Sequence, residues 1–315
     1  MELAESRRVN QKIKQLQQEE KKSLWKRTVN YRLAFVYLLP SLIIFSVFLF
    51  YPMIRTLYLS FFLTDAQGNS SLFVGFENYL YLLQSVMFQK SISATLLFVL
   101  YTVPIGIGIA FILALLANEK VKGIGFFRTV FSSTLGMSVA ASAVIWLFLF
   151  HPTVGMLNTL LEFIGVSAVP WLLDPTWALI SVAITTIWMN TGFSFLILLG
   201  GLQNIDQNLY ESARIDGATY FYKLKRITIP MLSPTLFFIF TITFIHSFQS
   251  FGQVDILTGG GPAHSTNLIV YSIYQDAFIN YQFGTASAQA VMLFSVVFIL
   301  TFLQFHFGEK KVHYQ

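Results

Sequence analysis

The sequence predicts an all-α polytopic membrane protein, and three observations carry that prediction. Hydrophobic residues make up 55% of the 315 residues, and only 11% are Asp, Glu, Lys or Arg. A soluble domain carries about 25% charged residues, so this chain lacks the polar surface that water requires. The mean hydropathy is +0.63, and the apolar residues gather into six long runs. Soluble, disordered and fibrous classes are therefore excluded.

Each of the six runs is long enough to cross a bilayer. A hydrocarbon core about 30 Å thick needs roughly 20 apolar residues in a helix, and none of the runs contains Asp, Glu, Lys or Arg. The first run is too long for a signal peptide and lacks a small-x-small cleavage site. The predicted transmembrane helices are residues 33–54, 92–117, 130–150, 177–202, 232–251 and 286–307.

The basic residues predict the orientation of these helices. Of the 20 Lys and Arg residues, 18 fall in the two tails and in the loops at 118–129 and 203–231, whereas Arg55 and Lys90 lie on the other side. Because cytoplasmic loops carry the excess of Lys and Arg, both termini are expected to be cytoplasmic.

Three regions follow from these boundaries. Residues 1–32 form a basic cytoplasmic N-terminal tail, residues 33–308 a transmembrane domain, and residues 309–315 a cytoplasmic C-terminal tail. Hydrophobic residues at helical spacing (Val9, Ile13 and Leu16) predict an amphipathic helix in the N-terminal tail, held at the membrane surface by anionic lipid. A specific docking role for this tail is the alternative.

The sequence contains no motif for catalysis, metal binding or nucleotide binding. There is no cysteine, no P-loop and no nucleophile elbow, and the five histidines lack metal-ligand spacing. The basic residues form no stripe that would bind nucleic acid. Ion-driven transporters usually carry membrane carboxylates, and the six runs have none. The source of energy for any transport is therefore expected on another polypeptide.

The loop at 203–231 contains the most informative pattern in the chain. Residues 209–215 form a predicted amphipathic helix that Gly217 ends. A second short helix is predicted to follow and to end before Pro230. An ordinary interhelical loop is the alternative, although such a loop would not need two capped helices.

The first of these helices has the features of a docking site. Tyr210, Ala213 and Gly217 fall at i, i+3 and i+7, which places a small-residue face where another protein can approach closely. Glu211 and Asp216 supply acceptors for a partner's arginine.

This loop resembles the EAA loop of the membrane-spanning permeases of bacterial binding-protein-dependent ABC importers. The family pattern is E-A-A, a glycine after three residues, and I-x-L-P about nine further on; the chain has Glu211-Ser212-Ala213, Gly217 and Ile227-Thr228-Ile229-Pro230. The resemblance implies a type I importer permease fold whose EAA helix docks in a cytoplasmic ATPase. It assigns an ion pair with that ATPase to Glu211 and the turn between two helices to Gly217. The coupling residues are thus expected to be Tyr210, Glu211, Ser212, Ala213, Asp216 and Gly217.

Four further stretches make the chain similar to the carbohydrate-uptake branch of this family, the maltodextrin/glycerol-3-phosphate-type permeases. They are Phe-Val-Gly-Phe-Glu-Asn-Tyr at 73–79, Gly-Met-Leu-Asn at 155–158 with Trp171 and Leu172, Leu-Thr-Gly-Gly-Gly-Pro at 257–262 with Thr266, and Phe-Gly-Thr-Ala-Ser-Ala at 283–288. The resemblance covers residues 37–308.

Polar side chains recur on one face of the fourth and fifth predicted helices. Uncharged hydrogen-bonding groups interleaved with aromatic rings suit a sugar. An ungapped match to the maltodextrin-type permeases places their substrate-lining positions on the same residues. The candidate pathway residues are Thr186, Met189, Asn190, Phe193, Thr243, His246, Ser247 and Ser250. The alternatives are hydrogen bonds between helices and, for His246, a packed histidine.

The resemblance implies transport by a multi-pass protein of the bacterial inner membrane. The chain would form half of the pathway for a sugar, with a neutral oligosaccharide or polyol favoured and glycerol-3-phosphate also carried in this branch. The implied partners are a second homologous permease, two cytoplasmic ATPase subunits and an extracytoplasmic solute-binding protein. No cofactor is expected in this chain, because the ATPase would bind ATP and Mg²⁺.

Two other classes of function remain open at this stage. An ion-coupled secondary sugar transporter would act without an ATPase, but the absence of membrane carboxylates disfavours it. A membrane-embedded enzyme is disfavoured because no nucleophile–base pair is found in the predicted helices.

Overall fold

The computed structural model describes residues 35–119 and 121–308. The predicted N-terminal tail with its amphipathic helix, Lys120 and the C-terminal tail at 309–315 lie outside the described residues. Contacts divide the chain into two units with the boundary between Tyr58 and Leu59, and each unit is described by itself.

The described part of the first unit is one helix, α1 (Phe35–Leu59), with a π-helical turn at Ser46–Phe50. It corresponds to the first predicted transmembrane helix. Its 25 residues are apolar on all sides and carry no charge before Arg55. A helix that is hydrophobic all round belongs in a membrane or a protein core.

The second unit begins with a β-hairpin that the sequence analysis did not predict. Strands β1 (Phe62–Thr64) and β2 (Ser70–Phe73) are antiparallel. In the connecting turn the Asp65 carboxylate accepts the backbone N–H groups of Gln67 at 3.0 Å and Asn69 at 2.7 Å. The hydrogen bonds from Asn69 stabilise the charged form and hold the pKa of Asp65 below its usual value.

Helices make up nearly all of the remainder. They are α2 (Glu77–Gln84), α3 (Val86–Asn118), α4 (Ile124–Ser132), α5 (Val139–Leu149), α6 (Met156–Phe163), α7 (Pro175–Gln203), α8 (Gln207–Ile215), α9 (Tyr220–Phe248), α10 (Gly252–Leu257), α11 (Ile269–Tyr274) and α12 (Phe283–Gly308). Among the described residues α1, α3, α7, α9 and α12 are each long and apolar enough to cross a membrane. Helices α4 and α5 are apolar enough only when taken together, as a broken span or a re-entrant loop.

The parallel pair α3 and α7 forms the centre of the second unit. Ala110, Ala114 and Ala117 are fully buried on one face of α3 and pack against a cluster that includes Phe195 and Leu198 of α7. Small residues allow two helix backbones to approach closely where lipid supplies no hydrophobic driving force. This contact brings α3, the longest helix of the unit, against α7.

The third predicted span, residues 130–150, is wrong as a single straight helix. Helices α4 and α5 are separated by a 3₁₀ turn at Ser133–Gly136, and the two halves meet at 107°. The 3₁₀ turn packs directly against α7, where the Gly192 N–H donates a hydrogen bond to Thr134 Oγ1 at 3.1 Å. The approach is so close that a Cβ at Gly192 would lie 2.5 Å from that oxygen. Ser138 then caps α5 by accepting the Ala141 N–H at 3.2 Å. The break therefore depends on a contact with a residue more than 50 positions away.

The predicted end of a short helix before Pro230 is also wrong. Helix α9 runs without interruption from Tyr220 through Pro230 to Phe248. A π-helical turn at Leu224–Thr228 makes this possible, and in it the Ile229 N–H donates to the Leu224 carbonyl. Proline has no N–H and clashes with the carbonyl four residues before it in a regular helix. The wider π-helical turn accommodates both the missing N–H and the bulk of the proline ring.

The stretch at 73–79 and the stretch at 283–288 meet at strand β1. The Asn78 side chain donates to the carbonyls of Ser60 at 2.9 Å and Phe62 at 3.1 Å. Gly284 lies so close that a Cβ there would come within 2.2 Å of the Phe62 carbonyl oxygen. Asn78 and Gly284 hold the hairpin against the start of α12 by hydrogen bonds and close contact, so their role in the structure is to pack these elements together.

The stretch at 155–158 fastens the loop that connects α6 to α7. The buried Asn158 amide donates to the carbonyls of Pro152 and Val169 at 3.2 and 3.1 Å. Its oxygen accepts the Val169 N–H at 3.1 Å and the Trp171 indole N–H at 2.9 Å. One side chain therefore satisfies four polar groups around this loop.

We expect Asn158→Ala to destabilise the protein by about 1–3 kcal/mol, because it leaves partly buried donors and acceptors without partners. Tryptophan fluorescence during thermal unfolding of the purified transporter should show a lower midpoint. Asn280→Ala is the control, because Asn280 is exposed and donates only to Asp276. Equal midpoints for the two variants would contradict the role assigned to Asn158.

Candidate coupling surface and solute pathway

Helix α8 is defined at both ends by local hydrogen bonds. At its start the Asp206 carboxylate accepts the Asn208 N–H at 2.9 Å. At its end Gly217 adopts φ +73°, the Gly217 N–H donates to the Arg214 carbonyl at 3.1 Å, and the Ala218 N–H donates to the Ala213 carbonyl at 2.9 Å. This pair of bonds is the Schellman motif. The prediction that Gly217 ends the helix is confirmed.

The structure corrects the predicted docking face of α8. Tyr210 faces the protein body, where its ring packs beside the Leu202 and Ile205 cluster and its hydroxyl lies 3.0 Å from Thr228 Oγ1 on α9. Ala213 is half-buried. Packing the aromatic ring against the cluster removes apolar surface from water, which stabilises the fold. Tyr210 therefore anchors the helix to the protein body and is not part of the exposed surface of α8.

The exposed residues of α8 form the surface available to another protein. Glu211, Ser212, Asp216 and Gly217 are exposed there, and Ile215 is 87% exposed. Phe221, at the start of α9, is 78% exposed. We call these six residues the α8 surface. The sequence analysis did not select Ile215 and Phe221 as site residues. The signal that could have found them is a large apolar side chain in a largely polar loop.

Glu211 is placed where a partner's basic group can reach it. It lines a cavity of about 450 Å³ at the base of α8, together with Arg214 and Lys223. Within the described ranges it forms no ion pair. A carboxylate with a free acceptor at the edge of a cavity suits a charge-assisted hydrogen bond from an incoming arginine.

A narrow polar cavity of about 10 Å³, room for roughly one water molecule, lies between α3, α7 and α9. It brings together four of the predicted pathway residues: Thr186, Asn190, Thr243 and Ser247. Thr102, Gly106, Ile187, Thr191 and Ser194 complete the lining. The sequence analysis missed Thr102 and Gly106, although their spacing of four places both on one face of α3.

The hydrogen bonds given for the polar side chains of this cavity do not link one helix to another. Thr186 donates to the Val182 carbonyl at 2.9 Å, and Ser247 donates to the Phe244 carbonyl at 2.7 Å. Both bonds stay within one helix, so neither residue links two helices. The side chains of Asn190 and Thr243 make no hydrogen bond to another described residue.

The other four predicted pathway residues do not line this cavity. Phe193 and His246 are exposed, and the His246 ring makes no hydrogen bond to another described residue. The packed-histidine alternative for His246 is therefore not what the structure shows. Met189 instead accepts the Gln253 amide N–H at 3.6 Å.

Ser250 does not share a helix face with Thr243, His246 and Ser247. Helix α9 ends at Phe248, and Ser250 lies beyond it with its hydroxyl 3.4 Å from Gln253 Oε1. The chain turns here so that Gly252 can approach α5, where a Cβ would lie 2.6 Å from Val139 Cγ1. The prediction that residues 232–251 form one helix is wrong at this end.

Comparisons with known proteins agree with this architecture. The profile of the family described as binding-protein-dependent transport system inner membrane component matches residues 90–313. The sn-glycerol-3-phosphate transport system permease protein UgpA of Agrobacterium fabrum is 36% identical over 283 residues, covering 90% of this chain and 96% of the relative. The protein of the same name from Yersinia pestis is 32% identical over 286 residues, with the same coverage.

Solved structures show the same fold. A chain of a bacterial ABC transporter involved in the import of the acidic polysaccharide alginate superposes with a TM-score of 0.80 at 26% identity, covering 91% of this chain and 98% of that one. A chain of that transporter in complex with an alginate pentasaccharide-bound periplasmic protein gives 0.79 at 26% identity, covering 91% and 97%. The chain thus belongs to the family of binding-protein-dependent transport system inner membrane components, the membrane-spanning permeases of ABC importers.

Proposed function

We propose that this permease forms half of the pathway for glycerol-3-phosphate or a closely related polyol phosphate. The relatives at 32–36% identity are named for sn-glycerol-3-phosphate transport. The cavity between α3, α7 and α9 offers amide and hydroxyl groups, and its described lining contains no carboxylate that would repel a phosphate. The sequence analysis favoured a neutral oligosaccharide or polyol. We propose an anionic solute instead, because the relatives are named for transport of sn-glycerol-3-phosphate.

The remaining parts of the transporter follow from the α8 surface. The end of the molecule that carries α8 faces the cytoplasm, where each of two ATPase subunits binds ATP and Mg²⁺. A second homologous permease completes the pathway, and an external binding protein delivers the solute, as the alginate transporter's complex with its periplasmic protein supports. The chain itself catalyses no reaction.

The observation that carries this mechanism is the rigid connection between α8 and the spans. Tyr210 joins α8 to Thr228 on α9, and its ring packs on the cluster formed by α3 and α7. A displacement of α8 by the ATPase therefore moves the helices that line the narrow polar cavity between α3, α7 and α9, which we call the solute cavity. Alternating access needs such a connection between a switching partner and a packed bundle.

The ion-coupled alternative predicts transport by this chain alone in an ion gradient. Nothing in the fold or among the relatives favours it. Purification in mild detergent separates the two hypotheses, because an importer permease co-purifies with a nucleotide-binding subunit and a secondary transporter does not.

The first prediction concerns the charge on the α8 surface. Glu211→Lys should abolish solute uptake and the solute-stimulated part of ATP hydrolysis, because it places a cation where a partner's arginine is expected. Uptake and ATPase activity are measured in proteoliposomes that contain the complete transporter. Glu162→Lys, an exposed carboxylate on α6, is the control and should retain both activities. Normal activities in Glu211→Lys would refute the coupling role.

The second prediction concerns the backbone of Gly217. No atom lies within 4 Å of a Cβ built there, so the left-handed conformation is the constraint. Gly217→Ala should cost about 1–2 kcal/mol and reduce coupled uptake several-fold. Gly217→Asn should recover much of the loss, because asparagine tolerates this conformation. Equal defects in the two variants would show that the side chain and not the backbone conformation matters.

The third prediction concerns the solute cavity. Asn190→Leu and Ser247→Leu should each lower the rate of glycerol-3-phosphate uptake at least several-fold, because each removes a hydrogen-bonding group from the lining. Co-purification of the partner subunits checks assembly. Ser295→Leu, on an exposed part of α12, is the matched control. Unchanged uptake kinetics in both cavity variants would assign these residues to helix packing.

A further inference from the structure

A groove runs along the seam between α3 and α7 and is divided into two cavities. The first has a volume of about 660 Å³ and the second about 540 Å³. Tyr101 lines both, so this residue lies at the boundary between the two cavities. Ile187 and Thr191 line both the first cavity and the solute cavity and form the wall between them.

The first cavity is built almost entirely from hydrocarbon. Aliphatic and aromatic side chains line it: Ile105, Ile109, Leu113, Val130, Phe131, Ile180, Ile184 and Trp188 are among them. The hydroxyls of its two threonines already have partners, since Thr134 accepts the Gly192 N–H and Thr191 donates to the Ile187 carbonyl at 2.7 Å. A solute rich in hydroxyl groups would find few partners here, whereas an alkyl chain would fit.

The second cavity has a different chemistry. It lies at the end where α3 and α7 begin, and Lys90, His264, Gln89, Ser93 and Thr176 contribute polar groups to it. Its described lining contains no carboxylate, and Lys90 has no ion pair within the described ranges. This end of the groove therefore favours an anion that hydrogen bonds can hold.

We propose that the groove binds one anionic glycerophospholipid from the leaflet at this end of the spans. Lys90 and His264 hold its phosphate, and an acyl chain passes Tyr101 into the first cavity. Thr176 and Ile187 are 11 residues apart on α7, which is about 16 Å of helix and matches half of a hydrocarbon core about 30 Å thick. The polar and apolar parts of the groove are thus spaced as in a lipid.

Charge favours a lipid over an apolar helix from a second chain as the occupant. An apolar transmembrane helix in the groove would offer no counter-charge to the exposed Lys90 ammonium. An anionic headgroup supplies that charge at the depth where Lys90 lies. With the orientation proposed above, this lipid comes from the outer leaflet.

The test measures lipid retained by the complete transporter, purified in mild detergent and examined by native mass spectrometry. Lys90→Ala should weaken retention of added phosphatidylglycerol about fivefold, the equivalent of ~1 kcal/mol for one lysine at a membrane surface. Lys122→Ala, in the loop after α3, is the control and should retain the wild-type amount. Equal retention in all three proteins overturns the proposal.

The apolar part of the groove is tested separately. Ile105 is 49% exposed, so Ile105→Trp fills the groove without entering the core, and it should reduce retention of phosphatidylglycerol and phosphatidylcholine alike. A benzophenone side chain placed at 105 should crosslink to a lipid more often than one at Ile112, which does not line the groove. Crosslinks from 105 to a peptide of a second chain would identify a helix as the occupant and overturn the proposal. Because lipid retention is read without transport, this result is independent of the solute.

Discussion

The close contact between α3 and α7 is the constraint on which the rest of this permease depends. Buried alanines on α3 bring the two backbones together, and Gly192 and Gly201 on α7 leave room for the 3₁₀ turn after α4 and for Leu232 of α9, respectively. Lipid supplies no hydrophobic driving force between helices, so their association depends on such close packing. The solute cavity, the groove and the cavity at the base of α8 all lie beside this pair.

Helix α8 depends on the same contact. The cluster that buries Ala117 and Leu202 also receives Tyr210, and the Arg128 guanidinium donates to the Ala117 carbonyl at 3.0 and 2.8 Å, which satisfies the end of α3 nearby. The base of α8 is thus held by the spans, while its outer face carries Glu211 and Ile215 into solvent. Because one side of α8 packs against the spans and the other is exposed, a helix of only nine residues keeps a fixed position while presenting a surface to solvent.

The stretches that make the chain similar to carbohydrate-uptake permeases have structural explanations at several positions. Asn78 and Gly284 fasten the hairpin to α12, Asn158 satisfies the loop before α7, and Thr258 and Thr266 lie 2.7 Å apart across a turn. None of these residues lines the solute cavity. A family signature of this kind therefore identifies the architecture of the connecting segments, and the residues that we propose contact the solute, such as Asn190 and Thr243, lie outside it.

The sequence by itself determined the membrane class, the approximate positions of the spans and the glycine that ends α8, because each depends on local composition or backbone conformation. Four of the eight pathway residues predicted from helical spacing meet in one cavity, since spacing reports which side chains share a face. Only the tertiary structure decided the break between α4 and α5, the continuity of α9 through Pro230, and the inward rotation of Tyr210. Each of these is set by a partner distant in the chain or by a change of helix type, and the hydrophobic pattern of one segment carries no information about either.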